Sequence, residues 1–412
     1  VLAFFKYGPA LNAVLDLGLP SVAMPLGLSF YTFAAISYLV DAARGDCPVE
    51  KNFVIHALYI LFFPTITSGP ICRAGQLMPQ LAAEHRFDAA RTADALRLYA
   101  LGTFKAVAVG RTLHVLVQQV VPNYRDYGGW MLMLAVLAYT FYLYFDFSGY
   151  SESARAAALM MGIQLPENFK TPFFATNFSG FWNRWHISFS SWLQDYLFMP
   201  LAWADVSKLT RGRRERLPVW LCLLCVFLVS GFWHGNTLPY VLWGLLQAVY
   251  RIGEEVLHRR LGKPKKKAPA AQQWGKRAVV FALWTFSMVF FCIGADGTLG
   301  TADCFGYLAG CVQRLSPARF AGELYSAVYD GFYPHAVMVA GYYAFLALAL
   351  ALAFRLDWHR NFTCKNRPAE QALAALPRRR AVYYLLIVCI LVGLILSNGG
   401  FGSTNFSAYA GF

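Results

Sequence analysis

Two histidines set among aromatic residues and glycines are the groups of this chain best suited to proton chemistry. His186 lies in FWNRWHISFSSWLQDYLFMPL, residues 181–201, and His234 lies in SGFWHGN, residues 230–236. A neutral imidazole beside a hydroxyl takes its proton as the oxygen attacks, which is general base catalysis. Burial favours that neutral form, and Gly231 and Gly235 flank His234 so that other backbone can approach it closely. Plotted as a helix at about 100° per residue, Trp182, Trp185, Phe189, Trp192 and Tyr196 fall in one arc. Asn183, His186 and Ser190 form a polar strip beside that wall, and Arg184, Ser191 and Asp195 gather further round. An interfacial aromatic belt accounts for the wall, and an ordinary loop position accounts for a lone His234. The belt accounts less well for Arg184, His186 and Asp195 within one apolar segment, because ionisable groups at membrane depth are costly and usually face a functional interior; for His186 the alternative is a purely structural hydrogen-bonding role.

Other reactive groups are less well placed. No Gly-x-Ser-x-Gly elbow occurs, so Ser188, Ser190, Ser191 and Ser230 have no hydrolase-like context and a covalent intermediate has no evident nucleophile. Cys222 and Cys225 form a C-x-x-C inside an apolar run, where the second ligand pair of a zinc site is missing; they are read as packing residues, and no metal is predicted. Tyr144, Asp146 and Tyr150 in YFDFSGYSE place a carboxylate among aromatics, either paired with an arginine or lining an internal passage. Arg73, after SGPI, is read as a structural ion-pair partner.

The elements that hold these groups are set by composition. Of 412 residues, 58% are hydrophobic and 14% charged, whereas soluble domains carry about 25% charged residues. Disorder, collagen and small disulfide scaffolds are excluded, and a polytopic membrane protein is the reading. A formal charge of +14 would suggest nucleic acid in a soluble protein, but in a membrane protein it marks cytoplasmic loops, and no nucleic-acid partner is expected. Each span needs about 20 apolar residues. Apolar segments recur at 19–40, 53–67, 131–147, 217–233, 239–250, 278–294, 336–354 and 381–396. The segment 95–121 carries Lys105, Arg111 and His114, and 181–201 carries Arg184, His186 and Asp195. Such segments persist at membrane depth only against protein or a water-filled cavity. The expected fold is therefore all-α and polytopic, with eight to eleven spans and broken or re-entrant helices around a polar tunnel.

Three basic loops, 204–217, 251–277 and 355–380, hold 21 of the 36 Lys and Arg residues. They are assigned to the cytoplasmic side, as topology determinants that contact anionic lipid or as contacts for a phosphate-bearing substrate, leaving 295–334 and 399–412 outside. No signal peptide is visible at Val1, which lies inside an apolar stretch, so the chain is expected to begin partway through a longer protein.

The blocks PLGLSFYTFAAISYLVD (25–41), FFPTITSGPICRAGQLMPQL (62–81), YFDFSGYSE (144–152), GIQLPENFKTPF (162–173), FWNRWHISFSSWLQDYLF (181–198) and FWHGNTLPYVLWGLL (232–246) run in one order over more than half the chain. In these blocks the chain resembles the membrane-bound O-acyltransferase superfamily. Within it, the resemblance is to the bacterial branch that holds the alginate O-acetyltransferase membrane component and the D-alanyl transfer protein of teichoic acid modification. The resemblance implies that His234 is the catalytic histidine and His186 the second one. The substrate-binding residues expected around them are Asn183, Arg184, Trp185, Ser190, Asp195, Trp233 and Asp146. It implies a single integral-membrane domain over 1–412, a catalytic core at 160–252 and a basic cytoplasmic loop at 253–277, in the bacterial cytoplasmic membrane.

The implied reaction moves an acyl group, acetyl first, from acetyl-CoA or an acyl-carrier protein thioester to hydroxyls of a cell-surface polysaccharide. It proceeds directly or through an extracytoplasmic acetyltransferase, with no bound cofactor. D-alanyl transfer from a carrier protein to teichoic acid is the nearest alternative. A non-catalytic acyl-group channel or membrane scaffold, or a transporter, is the alternative of another class.

Overall fold

The structure is a computed structural model describing residues 2–16, 18, 25–208, 215–262, 269–329 and 335–398. Every regular element among the described residues is a helix. Five are long and apolar enough to cross a membrane: Ala89–Val120, Gly129–Met160, Ala270–Asp296, Ala336–Thr363 and Arg379–Ser397, with Val219–His234 a shorter apolar helix. The sequence-based range of eight to eleven also counts apolar segments that form short or broken helices. Segment 53–67 divides into Phe53–Leu61 and Phe63–Ile66, because Pro64 has no N–H to continue the first helix and instead opens the second.

Much of the expected basic loop 253–277 is helix. Leu238–Leu261 ends on His258, Arg259 and Arg260, cations that suit a helix C-terminus, and Ala270–Asp296 begins before Lys276 and Arg277. The lysine run at 263–267, Arg211, Arg213 and Arg214 of the first basic loop, and the C-terminal segment 399–412 lie outside the described residues.

The chain forms two compact units, one from Val1–Ala83 with Pro172–Ser287 and the other from Glu84–Thr171 with Met288–Gly411. In the second unit, Asp88 caps the helix that follows it by accepting from the Arg91 N–H at 2.8 Å. That helix passes through a π-helical stretch, Phe104–Arg111, which carries Lys105. Lys105 is 2% exposed. Its Nζ lies 3.0 Å from Glu152 Oε1 and 3.7 Å from Asp357 Oδ1. Tyr144 donates to Asp357 at 2.6 Å. Arg360 pairs with Glu167 at 2.5 Å and Glu152 at 3.7 Å, and Arg155 joins Glu167 at 3.6 Å to Glu370 at 3.2 Å. Removing such charges from water is affordable only when they are paired and hydrogen-bonded. Lys105 thus faces protein, as its membrane setting requires.

Candidate active site

Both histidines belong to the first unit. The segment 181–201, projected as a helix and counted among those expected to be broken or re-entrant, is interrupted at His186. Asn177 caps Phe178–Trp182 by accepting from the Gly180 N–H at 2.7 Å. The chain then turns, His186 takes left-handed backbone angles (φ 45°, ψ 51°), and a second helix runs Ile187–Leu193. Left-handed geometry is uncommon outside glycine, is tolerated better by histidine than by branched residues, and persists where surrounding contacts fix it. Here Ser188 Oγ accepts from the Ile71 N–H at 2.9 Å, Trp192 Nε1 donates to the Phe33 carbonyl at 3.1 Å, and Ser190 Oγ donates to the Trp185 carbonyl at 3.1 Å.

The break divides the expected aromatic wall. Trp185 packs on Trp284 (ring centroids 4.9 Å) and Phe181 (5.8 Å), while Trp182 meets Phe227 at 5.2 Å. Phe189 and Trp192 instead pack on Phe33, at 5.6 and 4.5 Å. A uniform helical projection cannot register this, because the positive φ at His186 rotates everything after it relative to everything before.

His234 is the last residue of Val219–His234, packed against Leu238–Leu261. The two helices meet through glycines. A Cβ on Gly231 would lie 2.5 Å from the Tyr240 carbonyl oxygen, and one on Gly244 would strike the Phe227 carbonyl. Small residues permit this backbone approach, which confirms the reading of Gly231 as a close-packing position. It brings the His234 ring to 5.1 Å from Trp243 and 6.1 Å from Tyr240.

The two histidine blocks then converge. Phe189 and Trp233 pack at a tilt, with ring centroids 4.3 Å apart. Phe189 lies 5.0 Å from His186 and 6.4 Å from His234, and Trp233 lies 6.2 Å from His186 and 4.6 Å from His234. Both imidazoles are buried, at 1% and 6% exposure.

A cleft of about 660 Å³ lies in this unit, lined by Asn183, Ser190, Ser191, Gln194, Trp182, Phe198, Phe227 and Arg251, among others. Of the residues expected to bind substrate, Asn183 and Ser190 line it. Trp185 and Trp233 are buried in the aromatic packing, and Arg184 is half-buried. Asp195 pairs with Arg73 at 2.8 Å, so Arg73 has the structural ion-pair role read from sequence. Arg73 also covers the Tyr196 ring at 4.5 Å, and Tyr196 donates to Asp41 at 2.6 Å. Asp146 lies in the other unit, 3% exposed and packed against Gly110.

Three groups escaped sequence reasoning. Arg251, counted there only as loop charge, lines the cleft and pairs with Glu254 at 2.9 Å. Glu254 in turn accepts from the Ser179 N–H at 3.0 Å, tying the start of the first short helix to Leu238–Leu261. Lys6 donates to the Trp233 carbonyl and stands 5.3 Å from the Trp233 ring. Its only sequence signal was a single cation in an apolar stretch.

The chain belongs to the membrane-bound O-acyltransferase family, whose sequence pattern matches residues 50–294. It is a multi-pass membrane protein. It is 34% identical over 270 residues to a probable alginate O-acetylase of Pseudomonas putida, covering 62% of this chain and 53% of that protein. It is 28% identical over 385 residues to a peptidoglycan O-acetyltransferase of Helicobacter pylori, covering 82% and 68%. It is 33% identical over 232 residues to a teichoic acid D-alanyltransferase of Bacillus subtilis, covering 54% and 57%. The chain spans about half the length of the alginate O-acetylases it matches.

Proposed function

We propose that this chain moves an acyl group, acetyl in the first instance, from a cytosolic thioester to hydroxyls of an extracytoplasmic polysaccharide. The transfer is direct or passes through a partner transferase outside the membrane. The donor is acetyl-CoA or an acyl-carrier thioester. The observation that carries the reading is the pair of buried imidazoles joined through Phe189 and Trp233.

His234 takes the hydroxyl proton as the oxygen attacks the thioester carbonyl. Collapse of the tetrahedral intermediate breaks the carbon–sulfur bond, and the thiolate leaves with the proton. His186 and Asn183 position the acyl group and polarise its carbonyl. The polar lining of the cleft suits the amide-bearing arm of a thioester donor. Residues 160–252 form the catalytic core of one membrane domain, and the basic residues of 253–277 lie on the cytoplasmic side.

D-alanyl transfer is the second reading, favoured by the similarity to the Bacillus subtilis teichoic acid D-alanyltransferase. Membranes carrying the protein, supplied in parallel with labelled acetyl-CoA and with a labelled D-alanyl carrier protein, separate the two by which label enters polymer. Incorporation of neither, with the protein folded and polymer present, overturns both.

A further inference from the structure

We propose that Arg378, Arg379 and Arg380 form a binding site for the phosphate headgroup of an anionic phospholipid. The three side chains are exposed and border a shallow, open surface depression together with Ala374, Leu376 and Ala381, and no lining residue is acidic. Some other arginines of this unit have carboxylate neighbours: Arg86 pairs with Glu84 and Arg97 with Asp94. The triplet opens the span Arg379–Ser397, only 17% of whose apolar window is buried within the protein, against 78% for Gly129–Met160. Ile387, Leu391 and Ile395 are 47%, 56% and 72% exposed and, four residues apart, make one continuous apolar stripe.

In a bilayer that stripe is covered by acyl chains, because water is excluded from the hydrocarbon region. A lipid lying along it places its headgroup level with the first turn, where the arginines are. Tyr384, 70% exposed one turn further in, suits the interfacial layer. Guanidinium groups match phosphate oxygens with paired hydrogen bonds, and basic clusters abutting a span attract anionic lipids. The ligand class is therefore a lipid with a net negative headgroup, and zwitterionic lipids bind less well.

The test is native mass spectrometry of the purified protein titrated with phosphatidylglycerol and, separately, phosphatidylcholine. Phosphatidylglycerol affinity is expected to fall about fivefold for Arg379→Gln and by a further factor of about five for each additional arginine replaced. Phosphatidylcholine affinity and the thermal midpoint should be unchanged, and Arg86→Gln, outside the depression, should have no effect. Three results overturn the proposal: equal affinity of the unaltered protein for both lipids, phosphatidylglycerol binding that survives replacement of all three arginines, or displacement of the lipid by millimolar inorganic phosphate, which would make this a free-anion site. If the triple variant unfolds, Arg379→Gln alone decides.

Discussion

Phe189 and Trp233 come from different histidine blocks, pack at a tilt with ring centroids 4.3 Å apart, and each lies within 6.4 Å of both imidazoles. An aromatic pair at this spacing favours one packing arrangement by about 0.5–1.5 kcal/mol beyond its area. It therefore couples the rotamers of His186 and His234 although no helix is shared between them. Replacing Phe189 by Leu should keep the fold and lower acyl transfer through both histidines. Double-mutant cycles on activity with His186 and with His234 should each be non-additive, and additive cycles would show that the ring contacts do not transmit position.

The backbone at His186 separates a structural from a chemical role. Asn is well tolerated in left-handed geometry. His186→Asn should therefore hold its thermal midpoint near that of the unaltered protein while acyl transfer falls. His186→Ala should lose both activity and about 1 kcal/mol of stability. Equal stability of the two variants would mean that the positive φ imposes no such preference.

Glycines of one helix should respond in opposite ways. Gly244→Val pushes a branched side chain into the Phe227 carbonyl and Gly231, and should destabilise by about 1–3 kcal/mol or more. Gly253→Ala, which meets nothing within 4 Å, should be neutral or stabilising by up to about 1 kcal/mol. Thermal unfolding in detergent reads both, and similar losses for the two would contradict the close approach.

Asp195 and Lys105 both carry ion pairs, at different burial. The Asp195 side chain is half exposed, so Asp195→Asn should cost under about 1 kcal/mol. Lys105→Met leaves buried Glu152 with only its longer Arg360 contact and buried Asp357 with Tyr144, and should cost about 3–5 kcal/mol. Heating curves of the purified variants check the order, which a larger loss for Asp195→Asn would reverse.

Much of the site was legible because its signals are local. His186 and His234 stand out by their neighbours, Gly231 by its place before an imidazole, and Arg73 by its isolation after SGPI. Polar groups in 181–201 pointed to a broken helix, but the position of the break at His186 was not legible: it depends on contacts from Ile71 and Phe33, far away in sequence, that hold a conformation the local sequence does not favour. Glu254 escaped for a similar reason, since the Ser179 N–H it accepts from is 75 residues away. For the membrane fold, the charges of 95–121 showed that the helix must face protein. That Lys105 would meet Glu152 and Asp357 required knowing which helices pack together.

The central claim, that His234 removes the proton of the acceptor hydroxyl, is tested by acyl incorporation into polymer in membranes holding equal amounts of the unaltered protein and His234→Ala. Loss of a general base predicts a fall of about 10²–10⁴-fold with the protein still folded. Normal incorporation by His234→Ala at equal abundance would contradict it.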